Sequence, residues 1–193
     1  MKITITKPAS AGKVKIIPSK TAAHRLLIAG ALSGLDISDK LNGISKDVDA
    51  TKKCLINMKS GINKLPCGES GSTLRFLIPV AGAIGFDADF KAEGRLPKRP
   101  LSELKAAMEE HGCIMSEAGE DPIKVRGKLT PGTYRFPGNV SSQYITGMLF
   151  ALPLLDTDSD ILIDGTLQSR PYIDVTLDVL SKAGIDIAEK AFI

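Results

Sequence analysis

The chain has 193 residues, 43% of them hydrophobic, with 25 Lys and Arg against 22 Asp and Glu and a formal net charge of +3. This length suits one large or two small globular domains, and the apolar fraction is enough for a packed core. The charge is too balanced for a nucleic-acid-binding surface. Any preference for anions must therefore be local.

The three cysteines, Cys54, Cys67 and Cys113, are odd in number and lack the spacing of metal ligands. A disulfide framework or a zinc site is therefore disfavoured. No signal-peptide core follows Met1, and the most apolar run, 148–155, is short and contains a proline. We expect a cytoplasmic protein with reduced cysteines and no association with membranes.

Glycine and proline divide the chain into alternating helix and strand patterns. Apolar periodicity predicts helices over 20–32, 45–61, from 72 onward, 100–111, 141–152 and 171–183. Strands are predicted over 62–65, 86–91, 113–116, 123–126, 134–136 and 161–163. The alternation predicts an α/β protein.

The spacing of these elements indicates an internal repeat. Hydroxyl-rich turns open helices near residues 21, 72 and 141, and glycines end helices 40, 40 and 43 residues later. This predicts three copies of one α/β unit, at about 19–70, 71–137 and 138–193, rather than a doubly wound sheet. The third copy is incomplete, since only short apolar strands at 185–187 and 191–193 follow its last helix. We therefore expect a fragment of a larger protein.

The first helix start carries the clearest functional signal. Lys20, Thr21 and Arg25 lie where a helix begins, and its free N–H groups and dipole already favour an anion. The sequence predicts a phosphate or carboxylate site here. The alternative is an ordinary serine cap, Ser19, beside solvated charges.

The other helix starts repeat this chemistry. Residues 71–73 and 141–143 place hydroxyl groups at helix N-termini, which favours anions if the helices point to one place. A basic loop, 95–99, and a serine, arginine and tyrosine at 169–172 precede two further helices. Plain capping and a solvated loop are the alternatives for these segments.

Together these motifs resemble the 5-enolpyruvylshikimate-3-phosphate (EPSP) synthase family. The matching segments are 19–25, 68–75, 99–100, 141–143 and 169–174, in family order across almost the whole chain. The resemblance implies an enolpyruvyl transferase of two inside-out α/β lobes, each of three βαβαββ units with helices inside and sheets outside. This chain resembles the N-terminal lobe, with leading strands at 1–18 that associate with the other lobe.

The resemblance implies transfer of an enolpyruvyl group from phosphoenolpyruvate to the 5-hydroxyl of shikimate 3-phosphate, with release of phosphate, in chorismate biosynthesis. It implies no metal or organic cofactor. The missing C-terminal lobe would supply the main carboxylate base, so we expect the chain alone to be nearly inactive.

The family's functional residues are carried over one at a time. Lys20 would be catalytic and contact both substrates, and Gln143 would lie between them. Shikimate 3-phosphate would be held at its carboxylate by Thr21 and Arg25 and at its phosphate by Ser141, Ser142 and Ser169, and Tyr172 would pack near its ring. Phosphoenolpyruvate would be bound by Gly71 and Arg99, with Arg75 as a further contributor. Glu69 departs from the family pattern, and we expect its carboxylate to turn away from the phosphate or to pair with a cation.

Two alternatives remain open. The UDP-N-acetylglucosamine enolpyruvyl transferases share the fold and the chemistry, but typically have asparagine after the leading lysine and a reactive loop cysteine. Here Thr21 follows Lys20. A non-catalytic anion-binding module is the alternative from another class.

Overall fold

The computed structural model describes residues 3–4, 19–37, 39–117 and 119–189. Within these ranges the chain forms six α-helices and six β-strands. The helices are α1 (Lys20–Leu32), α2 (Lys46–Lys59), α3 (Gly71–Ala83), α4 (Ser102–Glu110), α5 (Ser142–Ala151) and α6 (Arg170–Lys182). The strands are β1 (Lys64–Gly68), β2 (Ala88–Ala92), β3 (Cys113–Met115), β4 (Ile123–Gly127), β5 (Thr133–Pro137) and β6 (Asp160–Asp164).

Serine caps begin four of these helices. The side chains of Ser19, Ser45, Ser70 and Ser141 each accept a hydrogen bond from a backbone N–H in the first turn of α1, α2, α3 and α5, respectively. These bonds satisfy N–H groups that the helix itself leaves unpaired. Of these caps, Ser141 is also a predicted site residue, whereas Ser19 is the ordinary cap considered as the alternative for the first helix start.

A glycine closes the C-terminal end of α1. Gly34 has a φ of +80°, which favours glycine. This conformation lets the N–H of Leu35 donate to the carbonyl of Gly30 at 2.9 Å. The helix is thereby closed by a Schellman motif.

The strands form two sheets on the outside of the helices. The larger sheet has the order β1-β2-β4-β3, with β1 and β2 parallel and β4 antiparallel to both neighbours. With α3 and α4 between its strands, this sheet completes one βαβαββ order. In the smaller sheet β5 and β6 are parallel around α5, and α6 follows. The βαβαββ order is therefore complete once, in the larger sheet, and starts a second time in the smaller sheet. The unit boundaries near 70 and 137 stay a prediction.

Burial shows which elements lie inside. Eleven of the thirteen residues of α3 are buried, while β5 alternates between exposed and buried residues. Its Tyr134 and Phe136 are fully buried. Helix α3 is thus surrounded by protein, whereas one face of β5 meets solvent, as an inside-out α/β lobe requires.

Three elements begin two residues later than predicted, and one of them is the strand predicted over 86–91, which is observed at Ala88–Ala92. The strand predicted over 62–65 is observed at Lys64–Gly68, because the N–H of Ile62 is used to close α2 through the carbonyl of Asn57. The helix predicted from Pro100 begins at Ser102, after Leu101. The carbonyl of Pro100 instead accepts a hydrogen bond from the Tyr144 hydroxyl at 2.5 Å.

Other predictions fall at the ends of the chain. The strand predicted at 185–187 is not formed, since no described strand lies beside it to complete its hydrogen bonds. The leading strands at 1–18, apart from Ile3 and Thr4, and the stub at 191–193 lie outside the described residues. None of the described helices combines the length and apolarity that a membrane crossing requires.

Candidate functional site

Four helix N-termini surround one open cleft of about 330 Å³. The starts of α1, α3 and α5 and the first turn of α6 all contribute side chains to it. Seven of the ten predicted site residues line this cleft: Lys20, Thr21, Arg25, Ser141, Ser142, Gln143 and Tyr172. The hydroxyl-rich helix starts therefore meet in space, and their dipoles favour an anion there.

Arg25 is the buried cation of the cleft. The residue is 3% exposed, and its guanidinium donates to Thr176 Oγ1, Thr146 Oγ1 and the carbonyls of Thr21 and Tyr172. Burial lowers its pKa to about 10, so it stays charged at neutral pH. No ion pair among the described residues includes it. A buried cation without a carboxylate partner attracts an anionic ligand.

Gln143 connects two parts of the site. Its Oε1 accepts a hydrogen bond from Arg75 Nη1 at 2.9 Å, and its Nε2 donates to Ser72 Oγ at 3.0 Å. These contacts join the start of α5 to the start of α3. Gln143 thus borders both the cleft and the cations beside α3.

The second part of the site contains Gly71, Arg75 and Arg99. A Cβ atom on Gly71 would lie 2.8 Å from Arg75 Nη1 and 3.3 Å from Arg99 Nη1, so both guanidinium groups approach the start of α3 closely. Arg75 is 8% exposed, and its guanidinium lies over the ring of Tyr144. Gly71 and Arg99 do not line the cleft itself. They adjoin it, because Arg75 lies close to Gly71 and also bonds to Gln143, which lines the cleft.

Ser169 is the predicted site residue least integrated into the cleft. It is exposed, has a left-handed φ of 57° and makes no side-chain cap on α6. Its carbonyl accepts the N–H of Tyr172, whose ring is half exposed at the cleft. Ser169 thus does not line the cleft but directly precedes the helix turn that carries Tyr172.

Glu69 lies against the turn at Gly94. A Cβ on Gly94 would come within 2.8 Å of the Glu69 carboxyl carbon. The ion pairs among the described residues do not include Glu69. The contact with Gly94 locates this carboxylate between strand β2 and the loop that leads to Arg99.

Sequence reasoning did not identify Asp47, His24 or Phe76 as parts of the site, and it included Ser72 only within the hydroxyl-rich turn 71–73. Asp47, in the first turn of α2, forms an ion pair with Lys20. His24, Ser72 and Phe76 line the cleft. The spacing of Lys20 and His24, four residues apart on one helix face, could have indicated the histidine.

A metal site is not evident in this part of the chain. Over residues 3–4, 19–37, 39–117 and 119–189, no group of three His, Cys, Asp or Glu side chains is arranged to hold a metal ion.

A family model and curated relatives match this chain, and their descriptions name the same enzyme. The model of a family described as EPSP synthase (3-phosphoshikimate 1-carboxyvinyltransferase) matches residues 35–191. The 3-phosphoshikimate 1-carboxyvinyltransferase of Clostridium kluyveri is 40% identical over 195 residues, which cover 90% of this chain and 46% of the relative. That of Brachyspira hyodysenteriae is 37% identical over 205 residues, covering 96% and 49%. The chain spans about half the length of the curated relatives it matches.

A solved structure shares the fold. The EPSP synthase from Acinetobacter baumannii superposes with a TM-score of 0.71 over 93% of this chain and 45% of that chain, at 21% identity. The two chains therefore share the α/β architecture described above.

Proposed function

The chain belongs to the EPSP synthase family, and from this premise we propose that it is the lobe that binds shikimate 3-phosphate in an enolpyruvyl transferase. The complete enzyme would join phosphoenolpyruvate to the 5-hydroxyl of that substrate and release phosphate. The observation that carries this proposal is the meeting of the α1, α3, α5 and α6 starts around the buried Arg25.

The proposed reaction needs two anions held side by side. C3 of phosphoenolpyruvate takes a proton while the 5-hydroxyl of shikimate 3-phosphate attacks C2 and loses its own proton to a base. The tetrahedral intermediate then expels inorganic phosphate and loses a proton from C3, which restores the double bond. Because the substrates repel each other, fixed cations and oriented N–H groups provide much of the catalysis.

Shikimate 3-phosphate would occupy the cleft. Arg25 and Thr21 would hold its carboxylate, because Arg25 is a buried cation without a carboxylate partner among the described residues. Ser141 and Ser142 at the start of α5, together with Ser169, would bind the phosphate. Tyr172 would pack beside the ring.

Phosphoenolpyruvate would lie next to it, at the start of α3. The N–H of Gly71 and the guanidinium groups of Arg75 and Arg99 would bind its anionic groups, in support of which both arginines approach Gly71 closely. Gln143 would lie between the two substrates. Lys20, paired with Asp47, would contact both substrates and transfer protons.

The remaining groups would come from a second, C-terminal lobe. The chain spans about half of its relatives, and we expect the missing half to bring the main carboxylate base and further cations. The chain alone is then nearly inactive. Its three buried, unpaired cysteines agree with a reducing compartment, and we propose the cytoplasm.

Reconstitution tests this function. Mixing the chain with the purified C-terminal lobe of the Clostridium kluyveri relative should restore phosphate release, only when both substrates are present. Lys20→Met should abolish it, whereas Lys53→Met, the same change at an exposed position of α2, should not. Association of the lobes without turnover would contradict the proposal.

A further inference from the structure

His24 is buried in the wall of the cleft with one ring nitrogen unpaired. The residue is 1% exposed and lines the cleft. Its Nδ1 lies 2.7 Å from Thr51 Oγ1, whereas its Nε2 has no hydrogen-bond partner among the described residues. Buried polar atoms nearly always have a hydrogen-bond partner, so we expect this nitrogen to have one when a ligand is bound.

The hydroxyl groups behind His24 determine which nitrogen carries the proton. The Thr73 hydroxyl donates to Ser70 Oγ at 2.7 Å, with the carbonyl of Asp47 as its other acceptor. Since its single proton is used in either bond, we assign Thr51 as the donor in the 2.6 Å contact between Thr51 and Thr73, which is shorter than the 3.4 Å contact of the Thr51 hydroxyl with the Asp47 carbonyl. The Thr51 oxygen must then accept from His24 Nδ1. His24 Nε2 is left as a bare acceptor.

The charge state of His24 agrees with this role. Its pKa is lowered to about 4, mainly by burial and to a smaller extent by the cations Lys20 and Arg25, while Asp47 acts in the opposite direction. The ring is therefore neutral at physiological pH. It is also a poor general base there, so a role as hydrogen-bond acceptor fits better than one in proton transfer.

Phe76 restricts where a donor can approach. Its ring meets the His24 ring edge to face, with centroids 6.3 Å apart, and offers no hydrogen-bond donor. Arg25 lies over the same phenyl ring at 5.0 Å. Since His24 lines the cleft, we infer that a donor approaches its ring from there, although Nε2 itself has almost no exposed surface before a ligand binds.

We propose that His24 Nε2 accepts a hydrogen bond from a ring hydroxyl of shikimate 3-phosphate and so helps to orient that ring in the cleft. This inference rests on the proposed function. A hydroxyl is the matching group, because a bare nitrogen repels the carboxylate and phosphate oxygens of the same ligand. His24 thus recognises the neutral part of the substrate, whereas Arg25 and the helix starts recognise its charges.

The tautomer can be tested without any ligand. Nitrogen-15 NMR of the full chain distinguishes a protonated from a bare ring nitrogen, and only two histidines are present. The His24 signals are those missing in His24→Asn. We expect Nδ1 protonated and Nε2 bare at pH 7. A proton on Nε2 would overturn the proposal.

Ligand binding tests the contact itself, with two substitutions that separate the ring nitrogens. The amide of His24→Asn can keep the bond to Thr51 but has no atom at the position of Nε2. The longer His24→Gln can place an amide oxygen there. We expect calorimetry to give about fivefold weaker binding of shikimate 3-phosphate by His24→Asn, and closer to wild-type binding by His24→Gln.

Deoxy ligands identify the hydroxyl and exclude a purely structural effect. The 4-deoxy or the 5-deoxy analogue should bind wild type and His24→Asn with equal affinity, because one partner of the bond is already gone. If His24→Asn weakens the binding of shikimate 3-phosphate and of both analogues by one common factor, or weakens the binding of none of them, His24 is not the acceptor. Failure of wild type to bind shikimate 3-phosphate at all would instead refute the proposed function.

Discussion

The Nε atom of Arg25 donates a hydrogen bond to Thr176 Oγ1 at 2.8 Å, which joins α1 to α6 although 151 residues separate the two in sequence. Thr176 is fully buried and in turn donates to the carbonyl of Tyr172 at 3.0 Å. The bond therefore fixes the predicted carboxylate-binding cation and the tyrosine at the cleft in one arrangement.

Replacing Thr176 by valine should destabilise the lobe. The change keeps the shape but leaves the charged Nε–H of Arg25 buried without an acceptor, which costs about 2 kcal/mol. Urea unfolding measures the loss. Thr157→Val, the same change at an exposed position, should stay within about 0.5 kcal/mol of wild type. Equal stability of Thr176→Val and wild type would contradict the packing described for Arg25.

The two serines at the start of α5 should differ in their effects. Ser142 lines the cleft, whereas Ser141 both lines it and caps the helix through the N–H of Gln143. Ser142→Ala should weaken shikimate 3-phosphate binding about tenfold without loss of stability. Ser141→Ala should weaken binding and also lower the free energy of unfolding by about 1 kcal/mol. Calorimetry and urea unfolding check the pair, with Ser60→Ala, at the exposed residue that follows α2, as the control. Unchanged binding by Ser142→Ala would count against the phosphate site.

A methyl group on Gly71 should disturb the second anion site. The new Cβ would lie 2.8 Å from Arg75 Nη1 and must displace it. We expect Gly71→Ala to bind phosphoenolpyruvate about tenfold more weakly in a titration followed by phosphorus-31 NMR. In the control, Gly30→Ala on α1, the Cβ would meet Ile37 only at 3.4 Å, and the helix should gain up to about 1 kcal/mol. Full affinity in Gly71→Ala would mean that the arginines do not form the site.

The low pKa of His24 should make the fold sensitive to acid. The folded pKa is about 4, below the usual 6.5, so between these values the unfolded chain takes up a proton that the folded chain refuses. Stability from this source is complete above pH 6.5 and decreases as the pH falls towards 4, by about 3 kcal/mol in total. Urea unfolding from pH 7 to 4.5 should show a smaller loss in His24→Asn than in wild type. Parallel curves would contradict a buried, neutral His24.

Local sequence signals predicted the helix starts well. Serine caps, glycine ends and hydroxyl-rich turns act within one helical turn, so they can be recognised without knowledge of the tertiary structure. The location of seven predicted residues in one cleft follows from those starts. Tyr172 illustrates this, because its place at the cleft depends on where α6 begins.

Long-range contacts were not predictable in this way. The pairing of Lys20 with Asp47 and that of His24 with Thr51 depend on how α1 packs against α2. The start of α4 was misjudged for the same reason, because the Pro100 carbonyl bonds to Tyr144 on another helix. Such partners are determined by packing rather than by neighbours in sequence.

The proposed ligand of the cleft is tested by calorimetric titration of the chain with shikimate 3-phosphate and, separately, with UDP-N-acetylglucosamine. We expect saturable heat with shikimate 3-phosphate alone, at one site per chain, and weaker binding in Ser142→Ala. Heat with UDP-N-acetylglucosamine alone, or with neither ligand, would refute shikimate 3-phosphate as the ligand.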